Sequence, residues 1–198
     1  MAALSSRTKI IALFCAFAAG ALVLVAGATM LMPSRPAGTA SLVGGPFQLV
    51  DQDAKPVSES ALKGHPTLVF FGFTHCPDVC PTALFEISEI FRSLGPDADK
   101  ARAVFITVDP ERDTPEVMKS YISSFAPQLR GYTGTPAQVE TVKKAYRVFS
   151  RKVPLDGGDY TMDHTAVIYL MDKDGSFIAP FNTKRAPAEA AAELKRYL

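Results

Sequence analysis

The sequence has few cysteines, three in 198 residues. Cys15 lies within an apolar stretch, so Cys76 and Cys80 are the only cysteines after the first 36 residues. Two cysteines four residues apart would close too small a loop to stabilise a fold. A framework of structural disulfides is therefore excluded.

Clusters of positive charge are also missing. The chain has 21 Lys and Arg against 20 Asp and Glu, and its first 36 residues hold three of the basic residues and none of the acidic ones. The remainder therefore carries 18 basic and 20 acidic side chains, a net charge of −2. Because no basic stripe is present, we expect no nucleic-acid partner.

One segment, residues 10–32, has neither charge nor proline. It exceeds the length of about 18 apolar residues that is typical of a transmembrane helix. Arg7 and Lys9 precede it, which predicts a cytoplasmic N-terminus and an exported C-terminal part. A cleaved signal peptide is the alternative, because Ala26-Gly27-Ala28 resembles a cleavage site, but the length of the apolar run favours an uncleaved anchor.

The leader lacks the Arg- and Ser-rich character of a mitochondrial transit peptide, so the expected location is a bacterial inner membrane with the soluble domain in the periplasm. We predict four segments along the chain. These are a cytoplasmic N-terminus at 1–9, a transmembrane anchor at 10–32, a flexible tether at 33–45, and a folded domain at 46–198.

The folded part is organised around residues 67–84. Their first seven residues are almost all apolar, which predicts a strand buried on both faces. Cys76 and Cys80 follow at once, and each precedes a proline. Pro81 suits the first position of a helix, which would place Cys80 at the helix N-terminus, where a thiol tends to have a lowered pKa. We therefore expect at least one of the two thiols to be activated, and Cys80 is the one that its position at the helix N-terminus favours.

The order of predicted elements is strand, thiol pair, helix, strand, two helices, hairpin, two strands and a last helix. Such alternation predicts parallel crossovers followed by an antiparallel edge, which is a thioredoxin-like α/β sandwich with an inserted β-hairpin at 152–160. The later strands are predicted at 103–108, 165–171 and 177–181, and helices near Pro81, Pro115, Pro136 and Pro187. The charged run 109–113 is expected to be a solvated loop and helix cap, or a docking surface.

The Cys-x-x-x-Cys pair allows three kinds of chemistry, namely a reversible disulfide, a metal site or a peroxide-reactive thiol. Its spacing argues against ordinary thioredoxin chemistry, which uses Cys-x-x-Cys. His164 is predicted to open the third strand, where a thioredoxin-like sheet usually holds a cis-proline facing the thiols. We therefore interpret His164 as a third metal ligand.

Two thiolates and one imidazole suit Cu(I) and tolerate Cu(II). Zinc would accept the same ligands, but structural zinc requires four closed ligands, whereas three leave an open side for exchange. An exchangeable copper site is the better match. Around it, Asp78 is expected to bond nearby amides or to contact the metal or a partner, and Asp163 to orient His164. We also expect the Gly157-Gly158 loop to be mobile, so that His164 can engage and leave the ion.

Five segments resemble the Sco/SenC family, and they are 73–81, 107–114, 132–135, 145–148 and 163–165. The resemblance covers about residues 44–198. It implies a membrane-anchored, thioredoxin-like copper metallochaperone with Cys76, Cys80 and His164 as copper ligands and with Cys76 and Cys80 as a redox-active disulfide pair. The implied partner is subunit II of cytochrome c oxidase, whose CuA centre would receive copper or have its cysteines reduced. Another periplasmic copper chaperone is a further candidate partner.

Overall fold

A computed structural model of the chain describes residue 20 and residues 43–198. Apart from residue 20, the predicted anchor at 10–32 lies outside the described residues, as does most of the predicted tether at 33–45. Within the described part, no helix has the length and apolar character needed to cross a membrane.

Seven strands form a mixed sheet in the order β2-β1-β5-β4-β3-β8-β9, and β6 and β7 pair separately as an antiparallel hairpin. The strands are β1 (Gln48–Asp51), β2 (Pro56–Ser58), β3 (Thr67–Gly72), β4 (Arg102–Thr107), β5 (Leu129–Thr133), β6 (Ser150–Pro154), β7 (Tyr160–His164), β8 (Ile168–Met171) and β9 (Phe177–Pro180). The pairs β3–β4 and β4–β5 are parallel, and the other pairs in the sheet are antiparallel. This is the predicted mixed α/β architecture with an inserted hairpin.

Four α-helices flank the sheet in the described residues. They are α1 (Val79–Leu94), α2 (Pro115–Ile122), α3 (Pro136–Ala145) and α4 (Pro187–Lys195), with short 3₁₀ helices at Glu59–Leu62 and Gly95–Lys100. The helices α2, α3 and α4 begin at the predicted prolines, because a proline at the first helical position sacrifices no hydrogen bond. In contrast, α1 begins two residues before Pro81.

The core lies on both faces of β3, whose six residues are all buried. On one face a side chain at Gly131 of β5 would meet Met118 and Ile122 of α2. On the other face Phe71 of β3 packs against Tyr146 at the end of α3, with ring centroids 5.3 Å apart. Helices therefore cover both faces of the sheet, as the continuous apolar run of β3 predicts.

One boundary at the site differs from the prediction. His164 was expected to open the third strand of the core, but it is the last residue of β7, where it pairs with Ser150 of β6. The next core strand, β8, begins four residues later at Ile168. The apolar run from residue 165 could not reveal this break, because the hairpin pairing of β6 and β7 is not encoded in the hydrophobicity of one strand.

Candidate metal centre

The two thiols lie where β3 gives way to α1, at the carboxyl end of the central strand. Cys76 belongs to the intervening loop, and its N–H donates to the carbonyl oxygen of Phe73 at 3.3 Å. Cys80 is the second residue of α1, and its N–H points at the sulfur of Cys76 at 3.4 Å. Both cysteines are free thiols, Cys76 partly exposed and Cys80 buried. The two sulfurs are therefore not joined in this structure.

The prediction that Cys80 is an activated thiol is wrong. Its side chain is 0 % exposed, and burial raises the pKa of the Cys80 thiol because the thiolate would lose its hydration. The backbone N–H of Cys80, at the start of α1, donates to the sulfur of Cys76 rather than to that of Cys80. Cys76 is thus the more accessible of the two sulfurs.

This difference in exposure predicts the order of alkylation. In the reduced, metal-free protein, iodoacetamide should modify Cys76 at least about tenfold faster than Cys80, because a buried thiol is unreactive. Peptide mass spectrometry after short exposures would measure both rates. In a Cys76→Ser variant the slow rate should remain at Cys80; faster labelling of Cys80 than of Cys76 would contradict the structure.

His164 brings an imidazole from the distant hairpin to the buried thiol. Its Nε2 lies 3.7 Å from the Cys80 sulfur, and its Nδ1 lies 3.1 Å from the carbonyl oxygen of Thr165. Because a carbonyl can only accept, Nδ1 carries the proton and donates it, which leaves the lone pair of Nε2 facing the sulfur. The ring also meets Phe73 edge-on, with centroids 5.8 Å apart.

The distance between Cys80 and His164 suits a shared ion. Metal–sulfur and metal–nitrogen bonds of about 2.3 and 2.0 Å, at trigonal or tetrahedral angles, separate the two donor atoms by roughly 3.5–3.7 Å. Within residues 43–198, however, no three His, Cys, Asp or Glu side chains are already spaced to hold a metal. Ligation by Cys76, Cys80 and His164 together would therefore require the loop or the hairpin to adjust.

The two aspartates predicted to support the site have other partners. Asp163 accepts a hydrogen bond from Nε of Arg151 at 3.1 Å on the exposed side of β7, whereas Nδ1 of His164 faces the carbonyl oxygen of Thr165. The reason is the alternation of side chains along a strand, which sends neighbouring residues to opposite faces. Asp78 is exposed at the N-cap of α1, where its side chain caps no amide and Thr82 approaches its Oδ1 at 3.5 Å.

A buried carboxylate that sequence reasoning missed fixes the thiol loop. Asp113 is 0 % exposed, and it accepts from both the N–H and the hydroxyl of Thr74, at 3.1 and 2.6 Å, and from the hydroxyl of Thr107 at 2.6 Å. Burial raises the pKa of Asp113, and these donors oppose that shift. The expectation of a solvated run at 109–113 is therefore wrong for Asp113, and also for Asp109, which is 1 % exposed.

The strand register explains the partners of Asp113. Thr74 follows the end of β3, and Thr107 ends β4, so parallel pairing brings both to the edge of the sheet where Asp113 lies. His75, the neighbour of Cys76, is 51 % exposed and points towards Thr74 and Asp113, with its Nδ1 3.1 Å from the hydroxyl of Thr74.

The chain is similar in sequence to known proteins. Residues 35–198 match the family model described as SCO1/SenC. A SCO2-like protein of Rickettsia prowazekii is 43% identical over 141 residues, which are 70% of this chain and 69% of that protein. The mouse mitochondrial SCO1 homologue is 38% identical over 160 residues, 79% of this chain and 56% of its own length.

Solved structures share the fold. Copper-bound ScoI of Bradyrhizobium japonicum is 65% identical, covers 79% of this chain and 99% of its own, and superposes with a TM-score of 0.77. Copper-bound yeast Sco1 is 35% identical, with coverages of 79% and 90% and a TM-score of 0.69. BsSco, described as a member of the Sco family of cytochrome c oxidase assembly proteins with a disulfide switch, is 25% identical, with coverages of 78% and 92% and a TM-score of 0.59.

Proposed function

The chain belongs to the SCO1/SenC family, and from this premise we propose that it is a copper metallochaperone that delivers copper to the CuA centre of cytochrome c oxidase subunit II. Sco proteins bind copper and act in cytochrome c oxidase assembly. The observation that carries the proposal is the 3.7 Å approach of the acceptor nitrogen of His164 to the sulfur of Cys80, in a chain folded like copper-bound Sco proteins.

In this proposal Cys76, Cys80 and His164 hold copper as cargo. Both thiols must lose their protons on loading, and the ion's positive charge compensates the cost of a thiolate at the buried Cys80. Cys76 lies nearest to solvent and marks the open side through which the ion would pass to an acceptor. Three ligands retain copper less firmly than four, which suits a protein that must release it.

We further propose that residues 10–32 anchor the chain in a bacterial inner membrane, with the copper domain in the periplasm. The uncharged length of this segment and the basic residues Arg7 and Lys9 before it support the orientation. Another periplasmic copper chaperone would then be a fitting source of the ion.

A second candidate function is thiol:disulfide reduction of the CuA-site cysteines. It is favoured by the free pair of thiols and by the partial exposure of the Cys76 sulfur, towards which the Cys80 N–H points. Cys76 would attack the target disulfide and form a mixed disulfide. Cys80 would then displace the second target sulfur, so that the target gains two electrons and a Cys76–Cys80 disulfide forms.

Copper titration of a His164→Ala variant tests the leading proposal. Loss of the imidazole should weaken copper binding by the reduced full-length chain by at least about tenfold. Removing a group that only hydrogen-bonds a metal ligand typically costs about 10–100-fold in metal affinity, and removing the ligand itself should cost no less. His75→Ala is the matched control, because that histidine adjoins Cys76 but is exposed and turned towards Thr74. Equal affinity in both variants and the unaltered protein would contradict the proposal.

The same variant separates the two functions. Reduction of a metal-free, oxidised CuA-site peptide should proceed in His164→Ala at close to the unaltered rate, because both sulfurs remain. If oxidase assembly survives in a His164→Ala strain that binds no copper, thiol reduction is the better account.

A further inference from the structure

His164 lies in a hairpin whose strands are not paired with the main sheet. In the described part of the chain, β6 and β7 pair only with each other and form a sheet apart from the seven-stranded one. His164 is the last residue of β7. Something other than the backbone ladder of the main sheet must therefore hold the hairpin against the thiol loop.

Arg112, in the loop between β4 and α2, reaches the first residue of β7. Its Nη1 donates to the carbonyl oxygen of Tyr160 at 2.9 Å and to Asp159 at 3.3 Å. Its Nε donates to Asp109 at 2.6 Å. The guanidinium carbon lies 3.7 Å from the centroid of the Tyr160 ring, and the Tyr160 hydroxyl donates to Asp109 at 2.9 Å. These contacts form a network that links the loop between β4 and α2 to the β6–β7 hairpin.

This network is mostly withdrawn from water. The side chain of Arg112 is 18 % exposed and that of Asp109 is 1 % exposed. Nη2 of Arg112 is buried without an acceptor among the described residues, so the other two nitrogens and the ring of Tyr160 hold the guanidinium. Lys152 of β6 adds a more exposed contact to Glu111 at 2.6 Å.

The same loop also holds the thiol side of the site. Asp113, the residue after Arg112, binds the N–H and hydroxyl of Thr74, two residues before Cys76. Arg112 itself lies 6.0 Å from the ring of Phe73, which in turn meets His164 edge-on. Residues 109–113 thus connect the two halves of the candidate metal centre.

We propose that Arg112 is a positioning residue, which holds the β6–β7 hairpin so that the His164 imidazole stays within ligand distance of Cys80 before copper arrives. The inference rests on the proposed function, because it takes His164 as a copper ligand. Holding a ligand in place beforehand raises affinity, since less conformational freedom is lost on binding. Arg112 needs no contact with copper for this effect.

Arg112→Ala in the full-length protein tests the inference, with Arg151→Ala as the matched control. Arg151 lies on the same hairpin and also pairs with an aspartate, Asp163, but the pair is exposed and links β6 only to β7. In the metal-free protein, amide hydrogen exchange in residues 160–164 should accelerate at least about tenfold in Arg112→Ala and remain unchanged in Arg151→Ala.

Copper titration provides the second readout. Arg112→Ala should lower copper affinity about tenfold, and Arg112→Lys should rescue only part of this loss, because lysine lacks the planar fork that bridges Asp109 and Tyr160. Arg151→Ala should bind copper as the unaltered protein does. An Arg112→Ala affinity equal to that of Arg151→Ala would overturn the inference.

A double-mutant cycle separates positioning from general loss of stability. Once His164→Ala has removed the imidazole, adding Arg112→Ala should cause little further loss of copper affinity. Independent losses that multiply would overturn the inference. If His164→Ala lowers affinity and Arg112→Ala does not, the inference alone fails; if His164→Ala has no effect, the proposed copper site fails with it.

Tyr160→Phe keeps the test decisive if Arg112→Ala does not fold. This variant loses only the hydroxyl bond to Asp109 and keeps the aromatic ring under Arg112. We expect a smaller acceleration of exchange in residues 160–164 and about a twofold to threefold loss of copper affinity, again absent in the His164→Ala background. Unchanged exchange and affinity in Tyr160→Phe would then overturn the inference.

Discussion

Replacing Cys80 with serine should abolish tight copper binding by the reduced full-length chain. A hydroxyl is a poor ligand for Cu(I), which prefers soft thiolates, and the remaining sulfur and imidazole would have to hold the ion as a pair. We expect the dissociation constant to rise at least about 100-fold. Competition with a chromophoric Cu(I) chelator would measure it.

Cys15→Ser is the matched control for the loss of one thiol, since it changes a cysteine of the predicted anchor and should leave copper affinity unaltered. Because Cys80 is buried, serine there also places a hydroxyl in an apolar pocket, so the unfolding free energy of Cys80→Ser must be measured as well. A folded Cys80→Ser protein that binds copper like Cys15→Ser would exclude Cys80 as a ligand.

Much of the fold could be predicted because its signals are local. The seven-residue apolar run before the thiols indicates a strand covered on both faces, and β3 is buried along its whole length. Pro115, Pro136 and Pro187 start helices because proline fits the first helical position. Such signals need no knowledge of what the element packs against.

Features that depend on pairing partners were less predictable. Pro81 is compatible with several early helical positions, so it could not exclude a start at Val79. The strand that holds His164 could not be predicted either, because only the pairing of His164 with Ser150 assigns it to β7 rather than to the next strand. Hydrophobic runs specify that strands exist, and tertiary contacts decide where each one ends.

At the candidate site, too, local chemistry could be predicted and the tertiary environment could not. Residue chemistry selects Cys76, Cys80 and His164, and the structure brings His164 to Cys80. The pKa of Cys80 was harder to predict. The sequence indicates that Cys80 lies at a helix N-terminus, which lowers the pKa of a thiol. Its burial in the folded core, which raises the pKa, is not visible in the sequence. The same holds for Asp113, whose burial is hidden within a charged run.

Gly72→Ala should both destabilise the domain and weaken copper binding. A Cβ at this position would lie 2.6 Å from Cε2 of Phe105 and 2.7 Å from the sulfur of Cys80, and both neighbours are fully buried. Overpacking of this kind costs typically about 1–3 kcal/mol, because buried side chains must leave their preferred positions. We expect a loss in that range in denaturant unfolding, together with at least about a fivefold loss of copper affinity.

Gly131→Ala is the matched control, since Gly131 lies in β5, another strand of the parallel part of the sheet, and also faces a helix. Its new Cβ would meet the terminal Cε of Met118 at 3.0 Å, a flexible group that can move aside, so the stability loss should stay below about 1 kcal/mol. Copper affinity should not change, because Gly131 adjoins no thiol. The added methyl also clashes with the Cys80 sulfur, so we expect that sulfur to shift relative to His164. A Gly72→Ala protein that loses stability but keeps full copper affinity would mean that the present position of Cys80 is not required for copper binding.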